Sequence, residues 1–178
     1  MLQKEDTNRK TYINIVGGKF AVRCDSTTIG AVKRFSEKKK EDVYELLYDS
    51  LTMLIKSMKI EKNDFGKSLV IESADGELLT LPVESKYFDS FCSKIGSADL
   101  ARDLKIVPFS FEKEGKKFTG INIWQQGEKL PYYFTAENPK GKPFSGTEKL
   151  DESDWKIFKL NERKFFCTFI EQLTSTPF

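Results

Sequence analysis

Hydrophobic and polar positions alternate with a period of two along much of this chain, which is the signature of half-buried β-strands. Residues 11–24, TYINIVGGKFAVRC, alternate around Gly17-Gly18 and predict two short strands about a turn, or one long strand with a glycine bulge. Residues 26–42 contain Gly30 and Lys38-Lys39-Lys40, have little periodic apolar content, and read as an exposed loop. Residues 65–82 predict a β-hairpin, with GKSLVIES and ELLTLPV flanking the turn Ala74-Asp75-Gly76. Residues 104–134 predict a three-stranded meander with turns at Glu114-Gly115 and Gln126-Gly127.

Two segments carry the helical period instead. Residues 85–95 place Tyr87, Phe88, Phe91 and Cys92 on one face, behind Ser85 as N-cap and ahead of Gly96. This short helix is expected to plug one end of the sheet. Residues 160–173 place Phe165, Phe166, Phe169, Ile170 and Leu173 on one face. Residues 43–60 fit both periods, and the local pattern taken alone favours a helix. A stretch dense in Pro, Gly and charge, Asn138 to Pro143, leads out of the β region near residue 150. The expected organisation is a domain over residues 1–150, followed by a carboxyl-terminal helix and flexible tail over 151–178.

A chain of 178 residues suits one domain with a substantial core. No apolar run approaches the ~20 residues of a membrane span, and the polar start lacks the apolar stretch of a secretion signal, so a soluble cytoplasmic protein is expected. Cys24, Cys92 and Cys167 form no CxxC pair and predict buried free thiols. With no histidine, the commonest general base and zinc ligand is missing. Phosphate-binding loops and nucleophile elbows are also missing, and Asp151, Glu152 and Asp154 read as a solvated acidic loop. The expectation is a binding protein, not an enzyme, with no metal and no cofactor.

Net charge is only +2, so location matters more than total. Residues 1–60 hold twelve basic and eight acidic residues, whereas 148–178 hold five and six. Basic and aromatic residues mix on and just after the predicted strands: Lys116, Lys117 and Phe118, then Trp124, Lys129, Tyr132, Tyr133, Phe134, Lys140, Lys142 and Phe144. Cations that follow phosphates beside rings that stack on bases are what single-stranded nucleic acid requires. The competing reading makes the rings core and the lysines solubilising surface. If Phe118, Ile121 and Ile123 point inward, their strand neighbours point outward, and Tyr132-Tyr133-Phe134 sends a ring to each face. Arg23, Lys33, Arg34 and Phe35 make a second mixed cluster, with Lys38 to Lys40 as a mobile phosphate contact or a solvated charge run.

The phrases GGKFAVR, TIGAVKR, YELLYDSLTMLI, LPVESKYFDSF, IVPFSFEKEGKKFTGINIWQQGEKLPYYF and ENPKGKP resemble the single-stranded DNA-binding proteins of tailed bacteriophages, over residues 12–144. The resemblance implies an OB-type fold, and that residues 43–60 are strand. The ending Pro177-Phe178 is similar to the tails with which bacterial single-stranded DNA-binding proteins dock replication and recombination partners. Here Leu173 to Thr176 stand where those tails are acidic.

The combined expectation is a mainly β protein (β-rich α+β): a five-stranded OB-like barrel, a plugging helix and a carboxyl-terminal helix. Its partner would be single-stranded DNA, bound without strong sequence preference. Trp124 and Tyr132 or Tyr133 would stack, and Arg23, Lys33, Arg34, Lys116, Lys117 and Lys129 would meet phosphates. Phe178 would be the protein-docking residue, and a homo-oligomer is compatible. The alternative is a phage structural or protein-interaction module, recognisable by salt-insensitive association through an apolar patch.

Overall fold

A computed structural model describes residues 10–37, 39–64, 66–146 and 150–175. The first strands, β1 (Thr11–Val16) and β2 (Lys19–Arg23), form a hairpin across Gly17-Gly18. Both glycines have positive φ, as a two-residue turn of the twist-matched type requires. Gly18 is needed for a second reason: a Cβ there would lie 2.4 Å from the backbone nitrogen of Ser110.

β3 (Val32–Ser36), β4 (Glu41–Tyr48), β5 (Leu51–Met53) and β6 (Ile55–Asn63) follow. Residues 43–60 are therefore strand, and the helical spacing of their apolar side chains is overridden by pairing. β4 lies between β2 and β3, so its backbone groups are satisfied on both sides. The expectation of a continuous loop over 26–42 is also corrected, because Val32 to Ser36 find a partner in β4 that no local pattern announces. Next come β7 (Gly66–Ser73) and β8 (Glu77–Pro82), the predicted hairpin, and α1 (Lys86–Ile95). Ser85 caps α1 by accepting from the Phe88 N–H, as the sequence predicts.

β9 (Leu104–Lys113) and β10 (Lys116–Gln125) are long, whereas β11 covers only Glu128–Lys129. The third meander strand is short because Pro131 has no N–H to continue the ladder. Residues 132–134 then leave the sheet, so pleating does not sort their rings. The Tyr133 N–H instead donates to the Ser93 carbonyl of α1. The last element, α2 (Glu152–Thr174), starts eight residues earlier than its apolar stripe suggests. Asp151 caps it by accepting from the Asp154 N–H, and Glu152 and Asp154 sit favourably in the first turn.

The strands form two sheets. The larger runs β3-β4-β2-β1-β8-β7-β6, with β1 and β8 parallel, and the smaller runs β11-β10-β9-β5. The chain passes from one to the other at Leu54, between buried Met53 and Ile55. A five-stranded barrel does not describe this arrangement: the edges β3 and β6 are separated by five strands, and the described residues form no closed barrel. Ile13, Phe20, Leu69 and Leu79 from the larger sheet meet Ile106, Ile121 and Ile123 from the smaller in one core. Phe88, Phe91 and Ile95 of α1 and Phe166 and Ile170 of α2 complete it, so α2 belongs to the same packed unit as the strands. No helix among the described residues is long and apolar enough to cross a membrane.

Candidate nucleic-acid interface

The inner face of the smaller sheet is fixed by Ile106, Ile121 and Ile123, all fully buried. Alternation then turns Lys105, Val107, Phe109, Phe111 and Lys113 of β9 outward. Register places them opposite Trp124, Asn122, Gly120, Phe118 and Lys116 of β10. Lys129 lies across from Trp124 on the other side. One outward face thus presents rows running from a lysine pair at the hairpin tip, through a ring pair, to a tryptophan between two lysines. The outward positions of β9 and β10 hold no acidic residue, although Asp103, just before β9, lines a concavity with Lys105 and Trp124.

The rings are arranged to offer faces. Phe111 and Phe118 stack at 5.4 Å between centroids, Phe109 lies 5.8 Å from Phe111, and Gly120 makes room for the Phe109 ring. Phe111, Phe118, Trp124 and Tyr132 all remain exposed, at 53%, 44%, 37% and 60%. Such exposure of four large rings on one side of a molecule is unusual unless something covers them. Lys105, Lys113, Lys116 and Lys129 make no ion pair among the described residues. Lys113 and Lys116 face each other directly, a like-charge pair that destabilises a hairpin unless an anion relieves it.

α1 supports this face from the side. Beyond its short contact with β11, β10 has an open edge, and α1 closes it with a side chain. The Ser90 hydroxyl accepts from the Ile121 N–H at 2.9 Å and donates to the Ile121 carbonyl at 3.0 Å, imitating a neighbouring strand. Lys94, one turn on, donates to the same carbonyl and to Ser90 Oγ at 3.1 Å, with its ammonium 4.9 Å from the centre of the Tyr132 ring. Burial, reinforced by the nearby Lys129 charge, lowers the Lys94 pKa to about 8.

The surface continues past Phe118 and Tyr132 into a cleft against α2, where Lys86, Trp155, Lys156 and Arg163 stand. Its carboxylates are neutralised. Burial raises the Asp89 pKa, with Lys159 and Arg163 opposing it. Burial would also raise Glu162, but hydrogen bonds from Lys142 and Lys159 outweigh it and hold that carboxyl below its usual range.

The other predicted residues are placed differently. Lys117 points to the opposite side of the sheet from Lys116, across from Glu112. Tyr133 is half-buried, backs onto Gly96 and stacks on Phe169 at 5.6 Å, so it is a packing residue and not a platform. Arg23 is exposed at the end of β2, on the larger sheet. Lys33 pairs with Asp42 at 2.8 Å, and Arg34 makes a two-pronged contact with buried Glu45 at 2.9 and 2.8 Å. Phe35 is half-exposed on the same edge strand. Lys38 and Phe178 lie outside the described residues. Cys92 is buried and its pKa is raised by burial; Cys24 and Cys167 are only half-buried.

Sequence reasoning missed Lys105, Phe109, Phe111, Lys113, Ser90, Lys94 and Asn122, and the inward set it weighed grouped Phe118 with Ile121 and Ile123. Parity alone corrects the last point. Phe118 differs from Ile121 and Ile123 by an odd number of positions, so it cannot share their face in a regular strand. Compared with known proteins, the chain matches no family model, no curated protein and no solved structure.

Proposed function

We propose that this protein binds single-stranded DNA along the outward face of the smaller sheet, without strong sequence preference over most of the strand. The observation that carries the reading is a face on which β9 and β10 turn no acid outward and lysines without ion pairs bracket exposed rings, two of them stacked on each other. Bases stack on Phe111, Phe118, Trp124 and Tyr132, and phosphates run past Lys105, Lys113, Lys116 and Lys129. A duplex hides its base faces and so gains only the phosphate contacts. The biological role that fits is coating and protecting single strands during phage replication or recombination in the host cytoplasm, as in the OB-type proteins the sequence resembles.

A second reading, a protein-interaction module, is favoured by one observation: Trp155, Ile157 and Leu160 are exposed on the amino-terminal half of α2. The two separate in one titration. Fluorescence anisotropy of a labelled strand of about 30 nucleotides, exceeding the ~4–16 nucleotides of one OB-sized site, is measured at low and high salt with duplex competitor. Salt-sensitive binding that duplex fails to compete is the expected result. No binding at low salt overturns the reading and leaves the α2 surface as the place to look for a partner.

A further inference from the structure

We propose that the cleft between α2 and the smaller sheet is a second stretch of the single-strand path, in which Trp155 stacks a base and Lys86 meets a phosphate. The inference rests on the single-strand reading above and lengthens its site from the sheet face onto the carboxyl-terminal helix.

The cleft adjoins the sheet face. Phe109, Phe118 and Tyr132 line it, and the same three rings line the concavity over Phe111, Asn122 and Lys129 on the sheet. A strand that leaves the sheet face across these rings enters the cleft directly.

The wall that α2 contributes is built for a ring contact. Trp155, Lys156, Lys159, Glu162 and Arg163 line the cleft, at the spacing of one helix side. The first turns of α2 lie outside the core, with residues 152–157 all exposed, so Trp155 fills nothing inside the protein. Its ring stacks on Phe158 at 5.5 Å between centroids and still remains exposed. That contact steadies the indole before a base arrives, which lowers the ordering cost of a stack. Ile157 and Leu160, two and five positions further on, fall on the far side of the helix and are not part of the cleft wall.

Charge points to the same ligand. Asp89 and Glu162 are met by Lys142, Lys159 and Arg163, so this cluster carries one cation more than its acids require. Lys156 is matched by Glu152 at 2.7 Å. Lys86 is exposed and makes no ion pair among the described residues, which leaves it open to a phosphate. A polyanion that carries flat bases matches both the surplus charge and the ring. An apolar protein partner would suit Ile157 and Leu160 and not the cleft.

The test is an anisotropy titration with labelled oligo(dT) of about 20 nucleotides, beyond the ~4–16 of one OB-sized site. Trp155→Ala should weaken binding roughly ten-fold, and Ile157→Ala by less than about two-fold. Lys86→Gln should lower the slope of log affinity against log salt by about 0.7. Each substituted side chain is exposed, so the variants keep the fold. Saturation should take no more than one strand per protein. Equal affinity of Trp155→Ala and the unaltered protein overturns the cleft, while a loss in Phe111→Ala still reports the sheet face. Equal losses for Trp155→Ala and Ile157→Ala overturn it too, because only Trp155 lines the cleft. A salt slope unmoved by Lys86→Gln overturns the phosphate contact, and two strands per protein overturn the shared path. Absence of binding to the unaltered protein overturns the underlying function instead.

Discussion

Two parts of this molecule mix lysine or arginine with aromatic residues, the β3–β4 edge of the larger sheet and the outward face of the smaller sheet, and they differ in what their cations do. At the edge each described cation is matched: Lys33 by Asp42, Arg34 by Glu45, Lys39 by Glu41 and Lys40 by Glu37. The acids come from β4 and the turn before it, within reach of β3. On the smaller sheet, β9 and β10 send no acid to the outward face, so its lysines remain unmatched. Counting cations near rings therefore does not locate a polyanion site. What counts is which side of a strand the counter-charges occupy, because a neutralised lysine releases no counterions from DNA.

Removing rings should break the comparison most visibly. Phe118→Ala should weaken single-strand binding by about 1–3 kcal/mol, and Phe111→Ala by a similar amount, whereas Phe35→Ala on the larger sheet leaves affinity within about two-fold. Equal losses at Phe35 and Phe118 in the same anisotropy assay would place the strand somewhere else. The converse holds for stability. Arg34→Ala strands the buried Glu45 carboxylate and should cost about 2 kcal/mol in a denaturant titration, discounted because the guanidinium is partly solvated. Binding by the folded variant should be unaltered. A Cm equal to that of the unaltered protein would show that the pair contributes nothing.

Charge without packing gives a subtler contrast. Lys113→Gln and Lys116→Gln should each lower the slope of log affinity against log salt by about 0.7. Lys33→Gln should leave that slope alone, because Asp42 already holds its charge. Relief of the Lys113–Lys116 repulsion should at the same time make either variant slightly more stable, by roughly 0.2–1 kcal/mol. A slope that falls equally for all three variants would mean that pairing with Asp42 does not shield Lys33.

The contrast between the regions shows what the sequence carried. Hairpin turns at Gly17-Gly18, Ala74-Asp75-Gly76, Glu114-Gly115 and Gln126-Gly127 were legible because left-handed backbone demands particular residues. The Ser85 cap and the apolar face of α1 were legible for a similar reason: a helix terminus and a helix face are local. Sheet order was not, since nothing near Val32 indicates that β4 will pair with it. The site was half legible. Lys116, Trp124, Lys129 and Tyr132 fall on the proposed face, while Arg34 and Tyr133 do not, because a distant Glu45 and Phe169 claim them. Strand parity would have separated Lys116 from Lys117 and brought in Phe109, Phe111 and Phe118 without any tertiary knowledge.

Two lysines, one from each region, should make stability depend on pH with opposite signs. Lys33 has its pKa raised by the hydrogen bond and charge of Asp42, so its contribution is present at neutral pH and fades as pH climbs through a value above 10.5. Lys94 has its pKa lowered to about 8, mainly by burial and then by Lys129, while in the unfolded chain it returns to 10.5. Between those values the unfolded chain binds the extra proton, so stability rises with pH, by about 1 kcal/mol from pH 7.5 to 9. The comparison to make is between the unaltered protein and Lys94→Met, each unfolded in denaturant at both pH values, so that every other titrating group cancels. The unaltered protein should gain on the variant as pH rises. A gap between the two proteins that stays constant from pH 7.5 to 9 would mean that Lys94 holds its proton in the folded protein as firmly as in the unfolded chain.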